Sequence, residues 1–563
     1  MGSIIHKMKK GRPYYYAVES ARVKGKPRIV WQKYLGTVEA IVARTEGTKP
    51  PEPKEAVLFE AGGVGALTRI AQRLHLVDVI NQEAPKREQG PTVGHYIALA
   101  ALNRALAPCS KLAIGDWYEQ TVLRRLWRFD KTAFSSQRFW DHMSRVSEGA
   151  IEAIQKALVV RIRREFGLDG EVLLYDTTNF FTFLATTNDR CTVAKRGHNK
   201  AKRHDLRQVG LALLVTKDFQ VPLFHKVYDG NVPDVSLFPS LAQELLARHR
   251  AACGKKGHGT LVFDKGNVSE DAMEQLVVAG QSFIAAVPLN RLPELAALPF
   301  ERFQDVPAFP GTKAYQVPAE AWGTSCQAVL AYTESFFTQQ LEGVTHNLVK
   351  CQKKLGDLEK TLAKWREGKL RGKRPTVRQV EASVRGILSA QFMTGLFQIT
   401  LTEGPTLRYA VDHAALDQLT HQRLGRTLLL AVKTEGDAAH IIGAYRSLTQ
   451  IEEVFKNMKN VDFLRWQPAY HWTDQKLKVH GLYCVLALLL ATLARKIACQ
   501  AGVDLSLPAL LQELSAIREV AVIYPQGTLA HRKDHITLSR MSSTQRKLAE
   551  ALDLATVLKG YYT

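Results

Sequence analysis

Apolar residues between 444 and 459 recur at three- and four-residue steps: Tyr445, Leu448, Ile451, Val454, Phe455 and Met458. That period puts them on one face of a single helix. Glu452 and Lys459 stand seven apart, two turns, so both project to one side of it. Residues 13–35 alternate instead, on either side of the basic turn Lys24-Gly25-Lys26-Pro27, and predict a hairpin that either lies along a DNA backbone or simply caps a domain. The pattern from 62 to about 166 is helical, with Leu67, Ile70, Ala71 and Leu74 on one face and Ser110 as an N-cap. Short helices of this kind suit a helix-turn-helix-like DNA-binding module, and equally a plain helical domain.

At Gly170 the texture changes. Apolar runs at 171–176, 209–215, 221–228, 260–264 and 283–287 read as strands, with helices at 235–248 and 269–279 between them. That order predicts a mixed α/β sheet. Beyond Pro288 comes a β-rich stretch at 300–335, then two heptad rows: Leu341, Leu348, Leu355 and Leu362 beside Val344, Cys351, Leu358 and Trp365. With a basic interruption at 368–375 and helix resuming over 377–390, they predict a helical hairpin, suited to dimerisation, to DNA contact at its tip, or to bracing. Residues 426–433 return as a strand. The run 481–494 is shorter than the ~18 residues of a membrane span, so a buried helix is expected. The resulting divisions are a basic hairpin and linker (1–55), a helical DNA-binding region (56–168), a first part of the sheet (169–290), an insertion (291–424), a second part of the sheet (425–500) and a helical C-terminal region (501–563).

Composition narrows the partners. A hydrophobic share of 46% excludes a mainly disordered chain. Net charge of +22 favours a polyanion, nucleic acid or an anionic surface. No signal peptide is expected at the N-terminus, since the first ten residues lack a long apolar core. The seven cysteines form no CxxC pair, so neither a zinc site nor a disulfide framework is indicated, and a reducing cytoplasm is expected.

Two predicted strands end in a carboxylate at the mouth of a loop, Asp176 and Asp264. Functional groups of open α/β sheets gather at such ends. Side by side, the two would repel unless they shared a proton or a cation, and hard oxygen ligands suit Mg²⁺ or Mn²⁺. The plainer reading is a pair of turn-capping aspartates. Lys200, Lys202, Arg203 and Arg207 form a basic run nearby, able to bind phosphates or simply solvated.

Asp176, Asp264 and Glu452, in that order and with a long insertion before the last, resemble the acids of DDE transposases with an RNase H-like core. Tyr445, Glu452 and Lys459 match the spacing of the Tyr-Arg-Glu-Lys signature of the insertion sequence 4 superfamily, with Leu448 at the Arg position and Arg446 close by. Tyr175-Asp176-Thr177-Thr178, Phe263-Asp264-Lys265-Gly266-Asn267, the stretch 196–208 and Asp229-Gly230-Asn231 also look like that group's motifs. Residues 465–480 are similar to the segment after the Glu helix in the subgroup related to insertion sequence 1634. The resemblance implies cleavage at transposon ends and strand transfer into target DNA. It implies two Mg²⁺ ions, replaceable by Mn²⁺, with Asp176 bridging both and Asp264 and Glu452 taking one each. It further implies Tyr445, Lys459, Arg465 and His480 as DNA contacts, double-stranded DNA (terminal inverted repeats and target) as the partner, a homodimer in the synaptic complex, and no membrane. The competing readings are a metal-dependent nuclease without strand transfer, a non-catalytic DNA-binding relative, and a glycosidase, which the basic charge fits poorly.

Overall fold

The computed structural model describes residues 2–23, 25–45, 52–86, 89–168, 170–185, 187–199, 201–254, 259–370, 375–524 and 534–558. The chain forms two compact units: residues 1–145, 461–465 and 490–563 in one, residues 146–460 and 466–489 in the other.

The first unit opens on an antiparallel sheet of β1 (Gly2–Lys9), β2 (Arg12–Val23) and β3 (Lys26–Gly36), in that order. Gly11 and Gly25 turn the chain between them at φ +75° and +77°, backbone that other residues rarely adopt. The expected hairpin is present, with a third strand ahead of it. After β4 (Glu55–Glu60) come helices including Gly62–Arg73, Leu76–Glu83 and Val93–Leu106. Thr92 caps the last of these in a reciprocal box with His95.

The second unit is built on a sheet. β5 (Val172–Thr182), β6 (Arg207–Thr216) and β7 (Pro222–Asp229) are successive antiparallel strands. β8 (Thr260–Phe263) returns parallel to β5, and β9 (Phe283–Val287) lies parallel to β8. Helices Asp234–Cys253 and Glu270–Val278 make the crossovers. The order β7-β6-β5-β8-β9, with only β6 reversed, is the RNase H-like arrangement. Leu173, Tyr175, Leu261 and Phe263 point into one apolar core, so period-two alternation sends Asp176 and Asp264 to the other face.

The sheet runs further than the sequence indicated. β10 (Gln304–Asp305), β11 (Thr312–Ala321) and β12 (Thr324–Thr333), expected in the insertion, join the main sheet instead. The helical insertion follows: Glu334–Arg366, Val377–Ile387, the hairpin β13 (Phe397–Thr402) and β14 (Thr406–Val411), and His413–Gln422. β15 (Arg426–Val432) then fits between β12 and β9, antiparallel to both. The reason is packing: Ala328 and Leu330 of β12 and Leu428 and Leu430 of β15 share the core of the first five strands. The heptad helix has a smaller core of its own, in which Val344, Cys351, Leu355 and Leu362 meet Val380 and Val384. Residues 371–374 of its basic tip lie outside the described residues.

The single helix expected over 444–459 is two, Ala438–Arg446 and Leu448–Asn457. Ser447 makes the break. Its hydroxyl bonds the Gly443 carbonyl at 2.9 Å and its amide is shared between Gly443 and Ala444, which tightens the turn. Asp474–Gln500 is long and apolar enough to cross a membrane by length and composition, but its apolar window is 94% buried within the protein. The C-terminal β16 (Arg518–Ile523) pairs with β4 and with β17 (His535–Leu538), closing a small sheet of the first unit.

Candidate active site

Register brings the first two acids together. β5 and β8 pair in parallel with Leu174 opposite Val262, so Asp176 and Asp264, two residues on, hold equivalent positions on neighbouring strands. Asp264 follows the end of β8 as expected, whereas Asp176 lies within β5, which pairs on with β6 as far as Thr182 rather than ending at the carboxylate. The third acid comes from the Leu448–Asn457 helix. Leu448, Ile451, Val454 and Phe455 are its buried stripe, which leaves Glu452 on the exposed side. All three carboxylates line one cleft of about 670 Å³, together with Thr178, Asn267, Tyr445, Arg446 and Lys459.

Hydrogen bonds fix several of these groups. Asp176 Oδ1 accepts from the Thr177 amide at 2.8 Å. The Tyr445 hydroxyl donates to Asp264 Oδ1 at 3.1 Å. Burial, then the charges of Asp264 and Glu452, raises the Tyr445 pKa well above that of a free phenol, so it stays a donor. Lys459 Nζ donates to Thr178 Oγ1 at 2.9 Å and sits 5.4 Å from the Phe180 ring centroid. The cleft is therefore mixed: three acids, with Lys456 and Lys459 beside them. Arg446, near the signature's missing Arg, is spent elsewhere. Its Nη2 donates to Thr312 and Thr333 at 2.8 and 3.1 Å, over the Phe309 ring.

The donor set suits a hard divalent cation, since every candidate ligand is an oxygen. Among the described residues no three His, Cys, Asp or Glu side chains stand close enough to form a ready cation cage. One Asp264 oxygen is already engaged by Tyr445.

The other expected DNA contacts are scattered. Lys200 lies outside the described residues. Lys202 is exposed, at φ +54°. Arg203 holds Asp205 in a two-pronged pair, with both bonds at 2.8 Å, and lowers that carboxylate's pKa to about 2. Arg207 donates to the Asn188 carbonyl at 2.8 Å and lines a second opening with Arg196, from the same motif stretch, and with Lys195, which sequence reading passed over. Arg465 is half-buried, its carbonyl bonded by Arg104. His480 corrects the expectation of a DNA contact: it is fully buried, its Nε2 at 2.7 Å from the Trp466 carbonyl and its Nδ1 at 2.6 Å from His471. It follows the apolar stripe of its helix rather than the basic residues around it. Trp466 is likewise core, stacked on Phe180 at 4.5 Å, whereas Trp472 is exposed.

No family model and no curated protein matches the chain. Among solved structures it is similar to a piggyBac transposase synaptic complex with hairpin DNA, determined by cryo-EM. The identity is 10% and the TM-score 0.34, over 80% of this chain and 78% of that one. A likeness at that level decides nothing about chemistry.

Proposed function

We propose that this protein is a metal-dependent DNA transposase of the DDE type, which cuts at the ends of a mobile element and joins them to target DNA. The observation that carries the reading is the convergence of Asp176, Asp264 and Glu452, from two neighbouring strands and a helix, on one cleft. The spacing of Tyr445, Glu452 and Lys459 supports the insertion sequence 4 superfamily, and residues 465–480 support the subgroup related to insertion sequence 1634.

Asp176, Asp264 and Glu452, drawn closer together than they now stand in the cleft, would hold two Mg²⁺ or Mn²⁺ ions. When bound, these would supply a more acidic water and positive charge at the leaving oxygen. The chain's own residues do the rest. Lys459, fixed by Thr178, offers its ammonium to a backbone phosphate. Tyr445 keeps its proton and orients Asp264. In the first step a water oxygen attacks phosphorus, the bond to the 3′ oxygen breaks, and a 3′-hydroxyl is freed. In the second, that hydroxyl attacks a target phosphodiester, forming one P–O bond and breaking another, with its proton passing to solvent. The cytoplasm and nucleoid would be the site of action, double-stranded DNA the partner, and a homodimer the synaptic form.

A joining assay tests this. Pre-cleaved element ends with a free 3′-hydroxyl, incubated with plasmid DNA and Mn²⁺, are expected to yield covalent end–plasmid products. Cutting of uncleaved ends without any joining would make the protein a nuclease instead.

A further inference from the structure

On one face of the N-terminal sheet the aromatic side chains cluster with one another, Tyr34 staying 52% exposed, and on the other the large apolar side chains stand apart. Register separates the two faces. Lys7, Tyr14, Tyr16, Val18, Gln32 and Tyr34 share the first: Lys7 bonds Gln32 and sits 4.9 Å from the Tyr16 ring, the three tyrosines cluster, and Val18 is 3% exposed. The second carries Ile4, His6, Met8, Arg28, Trp31 and Lys33, all exposed. Ile4, Met8 and Trp31 are half or more open to solvent, at 64%, 62% and 50%. Large apolar side chains exposed together on one face mark a surface that another molecule covers.

Charge selects the occupant. By register this second face carries Lys26, Arg28 and Lys33 against one acid, Glu19, which pairs with Trp31, and residues 1–45 as a whole hold ten Lys and Arg against Glu19 and Glu39. A basic face interleaved with aromatics suits a polyanion with stacked bases and methyl groups rather than an acidic or neutral protein. Size agrees. Two adjacent strands ~4.8 Å apart make a ribbon about 10 Å across, and the major groove, ~12 Å wide, admits a two-stranded ribbon. Strands of 11 and 12 residues, at ~3.3 Å each, run the length of about one turn of duplex.

We propose that the Ile4, Met8 and Trp31 face of this sheet docks in a groove of double-stranded DNA. Arg28 and Lys33 reach the phosphates, and Trp31 and the aliphatic side chains press on base edges. The inference rests on the transposase reading for its partner, and it adds a binding element separate from the three acids.

The test measures affinity of the full-length protein, by fluorescence anisotropy in EDTA, for a 30-base-pair duplex carrying the sequence that flanks the gene. Without divalent metal no cutting is needed, so a failure of the metal chemistry leaves this assay untouched. Arg28→Glu with Lys33→Glu is expected to weaken binding tenfold or more and to make the log–log salt dependence shallower by about 2, as two lost phosphate contacts require. Trp31→Ala is expected to weaken binding with the salt slope unchanged. Lys547→Glu, an exposed charge on the C-terminal helix Ser543–Ala551, is expected to change neither. Unaltered affinity and slope in the double variant would overturn the proposal. So would a Trp31→Ala chain that binds DNA normally but sediments as a smaller species than the native protein, which would assign the face to a second copy.

Discussion

Asp264 is held by a phenol that does not ionise. The Tyr445 hydroxyl bond occupies one carboxylate oxygen that a cation would need, and it survives at high pH because burial and two acids raise the tyrosine's pKa. Such a bond is worth ~1 kcal/mol net, about fivefold in an equilibrium constant. Tyr445→Phe is therefore expected to lower the Mn²⁺ concentration for half-maximal cleavage several-fold, measured by metal titration. An unchanged or higher requirement would show that the hydroxyl does not compete with metal. Much of this scale was legible. Asp176 and Asp264 announced themselves as carboxylates ending apolar runs, and Glu452 as the polar position on a striped helix. What could not be read were pairings across long sequence distance, such as Lys459 with Thr178, 281 residues apart, or the capture of Arg446 by Thr312 and Thr333.

At the level of elements, two contacts carry measurable consequences. His225 on β7 is wholly buried, its amide donating to Gln155 at 2.7 Å, and desolvation with nearby Arg248 pushes its pKa down to about 3. The unfolded chain takes up a proton near pH 6.5 while the folded one refuses it. Stability is then whole above pH 6.5 and is lost as pH falls toward 3. Urea midpoints at pH 7, 5 and 4 are expected to fall more steeply for the native chain than for His225→Gln, and parallel profiles would contradict this. The Trp466 stack on Phe180 backs the strand that carries Asp176. Trp466→Ala is expected to cost about 3–5 kcal/mol, read from the denaturant midpoint, whereas a loss under 1 kcal/mol would mean that the ring is not part of the core. The helix break at Ser447 was hidden from sequence periodicity, because the apolar stripe continues across it and only a side-chain bond to the backbone reveals the pinch. His480 was misjudged for the opposite reason: basic neighbours outweighed its place on the buried stripe of its helix.

Across the whole molecule, local pattern found the strands and their order, but not their partners. The five strands β5 to β9 were all visible as apolar runs, yet β10 to β12 were assigned to the insertion because nothing in their own sequence says that β15 will seat them beside β9. The same holds for β4 and β16, paired across more than 450 residues. The positive charge that pointed to a polyanion is spread along a chain whose acids nonetheless meet in one cleft. The central claim is that this meeting is catalytic. Its most direct test is cleavage, in Mg²⁺, of DNA carrying the element's own ends, comparing the native chain with Glu452→Gln. Glutamine keeps the shape and removes the charge of the carboxylate, so specific end cutting is expected in the native chain and a loss of at least about a hundredfold in the variant, the ~2.7 kcal/mol scale of one removed electrostatic partner. Equal cutting by both proteins would contradict the account.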